Sequence, residues 1–237
     1  MRVRLVSLAL FLVVVVGGCG GGGDETVSAN SLKSHLVPAS SVPGFSYERG
    51  LDWSDPVNLV GEGMFLPEVT HPSAAVSEVK GAKFEGAAGE VLRKGSGFDA
   101  TELHVGVAKF KSAADANRVR DWMHKQDLQQ PCFVECIFSP RPAAIPGVPA
   151  ARFVVQTPTA VPPPPKGGTP VKSTSGAPAK GPVPAGAASG PPTNYMAEFT
   201  IGPYLYWAFL QADAKDKSQV AAGVKLYYEH AKKVAAD

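Results

Sequence analysis

Thiols, imidazoles and a cluster of aromatic rings are the side chains in this 237-residue chain whose types invite chemistry. Three cysteines occur: Cys19 behind an apolar run, and Cys132 and Cys136 within Pro-Cys-Phe-Val-Glu-Cys. A thiol can act as a nucleophile, a metal ligand, a lipid acceptor or half of a disulfide, and its surroundings decide which. The five histidines, His35, His71, His104, His124 and His230, are scattered, with no spacing that would bring two of them to one metal ion. No Gly-x-Ser-x-Gly or Ser-x-x-Lys nucleophile motif and no aspartate-rich calcium loop is present. Gly17–Gly23 lacks the Lys-Ser/Thr that completes a phosphate cradle. No catalytic residue, metal ligand or cofactor is nominated by these patterns.

The aromatic cluster is sharper. Tyr195, Phe199, Tyr204, Tyr206, Trp207 and Phe209 fall within two apolar runs separated by Gly202-Pro203. Alternation along the second run sends Leu205, Trp207 and Phe209 to one side and Tyr204, Tyr206 and Leu210 to the other. Helices can cover the first set. The second is a candidate binding face for an apolar ligand or a partner peptide, because tyrosine offers a flat apolar body with a polar tip. The alternative is a strand buried on both faces, with residues 38–88 as cover. His104 sits on a strand beside the small residues Gly106 and Ala108, and reads as a satisfied or solvent-facing histidine before it reads as a pocket residue.

Cys19 closes a longer pattern. Arg2 and Arg4 precede an apolar run from Leu5 to Val16, and Val16-Gly17-Gly18-Cys19 follows. About a dozen apolar residues suit a signal-peptide core and fall short of the roughly 20 needed to span a bilayer. The segment resembles the lipobox of bacterial lipoproteins, with Val where Leu is commoner. The resemblance implies that the Cys19 thiol carries a diacylglyceryl group after cleavage between Gly18 and Cys19. Two acyl chains, at about 0.8 kcal/mol per buried CH₂, hold a protein stably on a membrane it does not cross. Residues 1–18 are then a lipoprotein signal peptide, 19–28 a Gly-rich tether, and the mature chain sits on the extracytoplasmic side of the cell membrane. With Cys19 taken by lipid, Cys132 and Cys136 are left to pair as a disulfide in an oxidising compartment. Free thiols or half of a metal site are the other readings, although no second Cys or His cluster lies near them in sequence. Removing Arg2 and Arg4 leaves 21 basic and 21 acidic residues. The apparent pI of 8.4 thus partly reflects the leader, and no basic surface for nucleic acid is expected.

The elements that must position these residues follow from periodicity. A short helix is expected at Ser31–Pro38, then loop-like sequence through Trp53 and Phe65. Gly86–Gly89 and Gly95–Gly97 read as turns, and Glu90–Lys94 as a strand. Leu103–Phe110 alternates as a strand, and Ser112 with Asp115 resembles a capping box opening a helix to about Gln126. Ala116, Val119 and Met123 share one face of that helix. Phe133–Phe138 and Arg152–Gln156 read as strands separated by turn-rich sequence. From about Thr157 to Thr193 the chain is mostly Pro, Gly, Ala, Ser and Thr, too poor in large apolar side chains to offset its ordering entropy, and it reads as a disordered insertion. Tyr195–Ile201 and Tyr204–Gln211 form a hairpin, and Lys215–Ala235 a helix with Val220, Val224, Tyr227, Tyr228, Ala231 and Val234 along one stripe. Residues 29–237 are expected to form a single α+β domain: an antiparallel sheet with amphipathic helices on one face, in two related strand–helix halves.

Short motifs add a family. Leu32-x-x-x-Leu36-Val37-Pro38 with Val42-Pro43-Gly44-Phe45, Phe110-Lys-Ser-Ala-Ala-Asp-Ala116, Ile145-Pro-Gly-Val-Pro149 and Ile201-Gly-Pro-Tyr204 resemble segments of lipoproteins and sensor-like ectodomains from high-GC Gram-positive bacteria. The resemblance implies an α+β domain similar to the extracellular domains of actinobacterial serine/threonine kinases, and it brings no catalytic residues. Three functions are expected in order: a non-catalytic binding or sensor module contacting an envelope protein, a carrier of a lipid or another hydrophobic envelope ligand, and an envelope enzyme.

Overall fold

The computed structural model describes residues 29–61, 72–96, 100–129, 137–149, 151–159, 193–212 and 216–236. Residues 1–28 with Cys19, His71, residues 130–136 with Cys132, Cys136 and most of the expected Phe133–Phe138 strand, and residues 160–192 lie outside them. The order of elements is α1 (Ala29–Lys33), β1 (Ser46–Trp53), α2 (Pro56–Gly61), α3 (Pro72–Gly81), β2 (Phe84–Lys94), β3 (Thr101–Phe110), α4 (Ala113–Gln129), β4 (Ile137–Ala143), β5 (Arg152–Thr159), β6 (Thr193–Ile201), β7 (Tyr204–Ala212) and α5 (Lys217–Val234). The strands form one sheet in the order β1-β2-β3-β7-β6-β5-β4, antiparallel at every step. The α+β class and the antiparallel sheet are those expected.

β7 sits at the centre of the sheet and explains its two-sided cover. Its odd residues Leu205 and Trp207 join one apolar cluster with Trp53 of β1, Leu59 and Val60 of α2, Ala75 and Val79 of α3, and Ala116, Val119 and Met123 of α4. Its even residues Tyr206, Ala208 and Leu210 join a second cluster with Leu32 of α1, Phe199 of β6, and Val220, Val224, Tyr227 and Ala231 of α5. Helices therefore cover both faces, where the sequence suggested one. A central strand that is apolar on both sides exposes one side to water unless each is capped. The strand–helix plan does recur, as β3–α4 and β7–α5, with the two helices on opposite faces.

Local signals place the ends of these elements. Ser112 caps the start of α4: the Asp115 N–H donates to Ser112 Oγ at 3.1 Å, and the Ser112 hydroxyl donates to Asp115 Oδ2 at 2.6 Å in place of the backbone bond of a full capping box. Asp55 caps α2 by accepting from the N–H groups of Val57 and Asn58 at 2.8 and 3.1 Å. Gly202, at φ +56°, turns the β6–β7 hairpin. Gly86–Gly89, expected as a turn, lies within β2 instead.

The reason for small residues there is Trp207. Gly89, Gly106 and Trp207 stand in one row across β2, β3 and β7. A Cβ on Gly106 would overlap the six-membered ring of the Trp207 indole. Overpacking of this kind costs about 1–3 kcal/mol. Gly106→Ala is expected to lower unfolding free energy by about that amount in urea denaturation. Gly223→Ala in α5, where an added Cβ meets nothing within 4 Å, should instead raise stability by up to about 1 kcal/mol. A Gly106→Ala variant as stable as its parent would remove the Trp207 row as a packing constraint.

Candidate functional site

The even face of β7 was the site expected from sequence. There Tyr206 is fully buried (0 % exposed), Leu210 is 9 % exposed, and Tyr204 is half-buried. Tyr206 lies almost parallel to Phe199 of β6, ring centroids 5.0 Å apart. Tyr227 of α5 meets both rings edge-on at 5.5 and 5.6 Å, and its hydroxyl donates to the Gly106 carbonyl at 2.9 Å. Tyr227 is thus held over a β3 glycine by a buried polar tip, which lets an aromatic ring end inside the core.

The turn after α1 closes the other side. It is built by hydrogen bonds from His35 N–H to the Leu32 carbonyl and from Leu36 N–H to the Lys33 carbonyl. It carries His35 into the face at 7 % exposure. His35 Nδ1 and the Tyr206 hydroxyl are hydrogen-bonded at 2.8 Å, and Tyr204 lies 4.4 Å from the imidazole. From α5, the His230 Nε2 is 3.0 Å from the Ser34 carbonyl, so the turn is gripped by β7 and α5 together. Burial, and then the neighbouring His230, push the His35 pKa down, while burial pushes the Tyr206 hydroxyl up. Both stay neutral at ordinary pH, as a packed structural contact requires.

The tyrosine face is therefore covered at Tyr206, and not by residues 38–88 alone. What remains open is its margin. Leu103, Leu210, Tyr195 and Val155 form the next row across β3, β7, β6 and β5, and Leu103 and Val155 are only half-buried. Of the other singled-out residues, His104 packs edge-on against Phe209 at 5.7 Å, with Nε2 3.4 Å from Glu102 Oε2. Burial is the chief cause of its lowered pKa. Among the described residues no group of three or more His, Cys, Asp or Glu is arranged to hold a metal ion.

Sequence reasoning missed a second polar assembly, on the opposite face under α4. Asp127 and Glu198 are 1 % and 2 % exposed, and each carboxyl lies near enough to act on the other's ionisation. Around them, the Gln156 amide donates to the Asp127 backbone carbonyl at 2.8 Å, and the Asn194 amide donates to Gln156 Oε1 at 3.4 Å. Further along α4, Arg120 donates to Thr200 Oγ1 at 3.0 Å, and the Thr200 hydroxyl donates to Asn117 Oδ1 at 2.7 Å. Burial, above all, raises both acids; Asp127 is pushed up to about 6 and Glu198 well above its usual range. A signal for the pair was present in the sequence. Asp127 falls four residues after Met123, on the stripe that reads as core-facing, where an unpaired carboxylate does not belong.

The His35–Tyr206 contact has a defined pH signature. A histidine whose folded pKa is depressed favours the neutral form in the fold, so its contribution is complete above the unfolded value near 6.5 and shrinks as pH falls below it. The stability gap between the parent and His35→Gln should accordingly narrow from pH 7.5 to pH 5.5 in urea titrations. Tyr206→Phe, which strands the imidazole nitrogen, should cost about 1–3 kcal/mol at pH 7.5 with unchanged far-UV circular dichroism.

No protein-family model matches the chain, nor does any curated protein sequence. Among solved structures it is similar to the crystal structure of the extracellular domain of PknH from Mycobacterium tuberculosis. The TM-score is 0.52 at 13 % identity, and the match covers 91 % of this chain and 100 % of that one. The likeness is one of fold.

Proposed function

We propose that this chain is a lipid-anchored, non-catalytic binding or sensor module on the extracytoplasmic side of a bacterial cell membrane. The observation that carries the reading is the near full-length fold shared with the extracellular domain of PknH. The N-terminal pattern Arg2–Cys19 supports the address and anchor, with Cys19 as lipid acceptor and Cys132–Cys136 as a local disulfide in the same compartment.

In this reading the ligand or partner meets the rim of the tyrosine face. Half-buried Leu103 and Val155 stand in one row with buried Leu210 there and offer apolar surface. The same uncharged row favours a hydrophobic envelope ligand as the second reading, a carrier in place of a protein-binding module. No helix among the described residues is long and apolar enough to cross a membrane, so attachment in this reading rests on Cys19.

Two measurements test this. Full-length protein expressed in a bacterial host should enter the detergent phase of a cloud-point extraction, and Cys19→Ala should move it to the aqueous phase. A Cys19→Ala protein that stays with detergent would sink the anchor. Mass spectrometry under non-denaturing conditions should find an apolar adduct on the parent that is lost or reduced several-fold in Leu103→Ser/Val155→Ser. Adducts identical in the two proteins would exclude the rim as a carrier site.

A further inference from the structure

The carboxyl pair beneath α4 has no part in the binding reading, and its construction is unusual for a structural contact. Neither oxygen of Asp127 nor Oε2 of Glu198 receives a hydrogen bond from any N–H or hydroxyl among the described residues. The pair can supply a hydrogen to these oxygens itself, and only while one carboxyl is protonated. We propose that Asp127 and Glu198 form a proton-operated latch, fastening the C-terminal half of α4 to β5 and β6 while they share a proton and releasing it when the proton is lost.

The charges facing the pair leave it this freedom. From α4 itself come Arg120, Asp121 and His124, and from β5 comes Arg152. Arg120 and Arg152 both turn to the exposed carboxylate of Asp121, at 2.9 and 3.4 Å. Their positive charge opposes the upward shift of Glu198 but is outweighed by burial and by Asp127. His124 is itself held toward its neutral form, by burial and then by Arg152. β7 offers Trp207 and Phe209 on this side, and β3 offers His104, also pushed toward neutrality. α3 contributes Glu78, which is engaged with Arg118 at 2.6 Å. Arg141 of β4 is exposed. Among the described residues no fixed cation is thus committed to the pair, and loss of the proton leaves two buried negative charges near each other, a strongly unfavourable state.

α4 is fastened unevenly, which makes its far end the part that yields. Its first half is held by the Ser112 cap, by apolar Ala116 and Val119, and by the Asn117–Thr200–Arg120 chain. Beyond Met123 no residue of α4 belongs to the apolar cluster, and the Gln156 amide and the buried Asp127 carboxyl mark its contact with β5 and β6. Beneath lie Val154 and Met196, buried side chains that movement of this end would bare. The sign follows from the protonation states. The folded form favours the proton, so stability is complete below the unfolded carboxyl range near pH 4 and is lost as pH rises through about 6 and above.

Hydrogen–deuterium exchange on the full chain tests the latch, with rates expressed as protection factors to remove the intrinsic pH dependence of exchange. Protection of amides in 121–129 should fall by about tenfold or more from pH 5 to pH 8, since one unit of pKa shift is tenfold in an equilibrium, while amides in 113–119 change little. In Glu198→Gln, whose amide can donate to the Asp127 carboxylate, protection should stay high and flat with pH. An unchanged pH dependence in that variant would overturn the proposal. Should the variant not fold, carboxyl carbon-13 shifts of the parent decide: titration of both acids near pH 4 overturns the latch, and titration of at least one above pH 6 supports it. Restoration of protection at pH 8 by millimolar calcium or magnesium would mean a cation site in place of a proton latch, and would also overturn it.

Discussion

Trp207 and Tyr206, adjacent on the central strand and pointing to opposite faces, impose the constraint on which the rest of this structure depends. Each is a large ring that must leave water, and neighbours on a strand cannot do so on the same side. Two separate covers are therefore required. One is made by α2, α3 and α4 over Trp207, and the other by α1 and α5 over Tyr206. The residues around each ring are chosen by its shape. Gly106 is bare because the Trp207 indole lies on it, and the same glycine's carbonyl accepts the Tyr227 hydroxyl from the other face. One backbone position thus serves both layers, which ties the packing of the two faces together.

The polar groups admitted to these layers respond to pH in opposite senses. On the Tyr206 face, His35 is held toward its neutral form, so that contact weakens in acid. On the Trp207 face, the acid pair is held toward its protonated form and weakens in base. Between about pH 4 and 6.5 the two gradients partly cancel. A flat global stability profile would then conceal two opposed local ones, which is why a measurement resolved by segment is more informative than a single melting curve.

How much of this was legible in the sequence depended on whether a residue's local pattern agreed with its tertiary role. The cap at Ser112–Asp115, the alternation of β3 and the stripe of α5 all state their own environment, and each element lies where expected. β1, α2 and α3 were not legible. β1 is an edge strand with Ser46, Tyr47, Glu48 and Arg49 all exposed, so only Leu51 and Trp53 show a period. Pro56 and Pro72 read as loop markers, yet each is the first residue of a helix, where its missing N–H costs nothing. β4 runs beyond the expected end at Phe138, to Ala143, for a related reason. Pro140 and Pro142 suggested turns, but the strand is the other edge of the sheet, and prolines two apart direct both missing N–H groups to the same side. The tyrosine set was found, but its cover was not, because the helix–turn that carries His35 meets Tyr206 across 171 residues.

The acid pair bears on what kind of module this fold makes. A buried ionisable pair is a poor device for stability: apolar residues of similar volume in its place are commonly neutral or stabilising. The site is surrounded by residues that would accept such a replacement, with Met123, Val154 and Met196 buried on the same face. Rigidity is therefore an inadequate account of two carboxyls at this position, whereas a difference between two states of α4 is an adequate one. A domain whose faces are both capped by helices can recognise another molecule at its rim without rearranging. To recognise through its interior it must lift a helix, and α4 beyond Met123 is the place where charge already opposes closure. The covered sheet and the buried acids are then parts of one design, in which the cover that the central strand demands on the Trp207 side carries its own release.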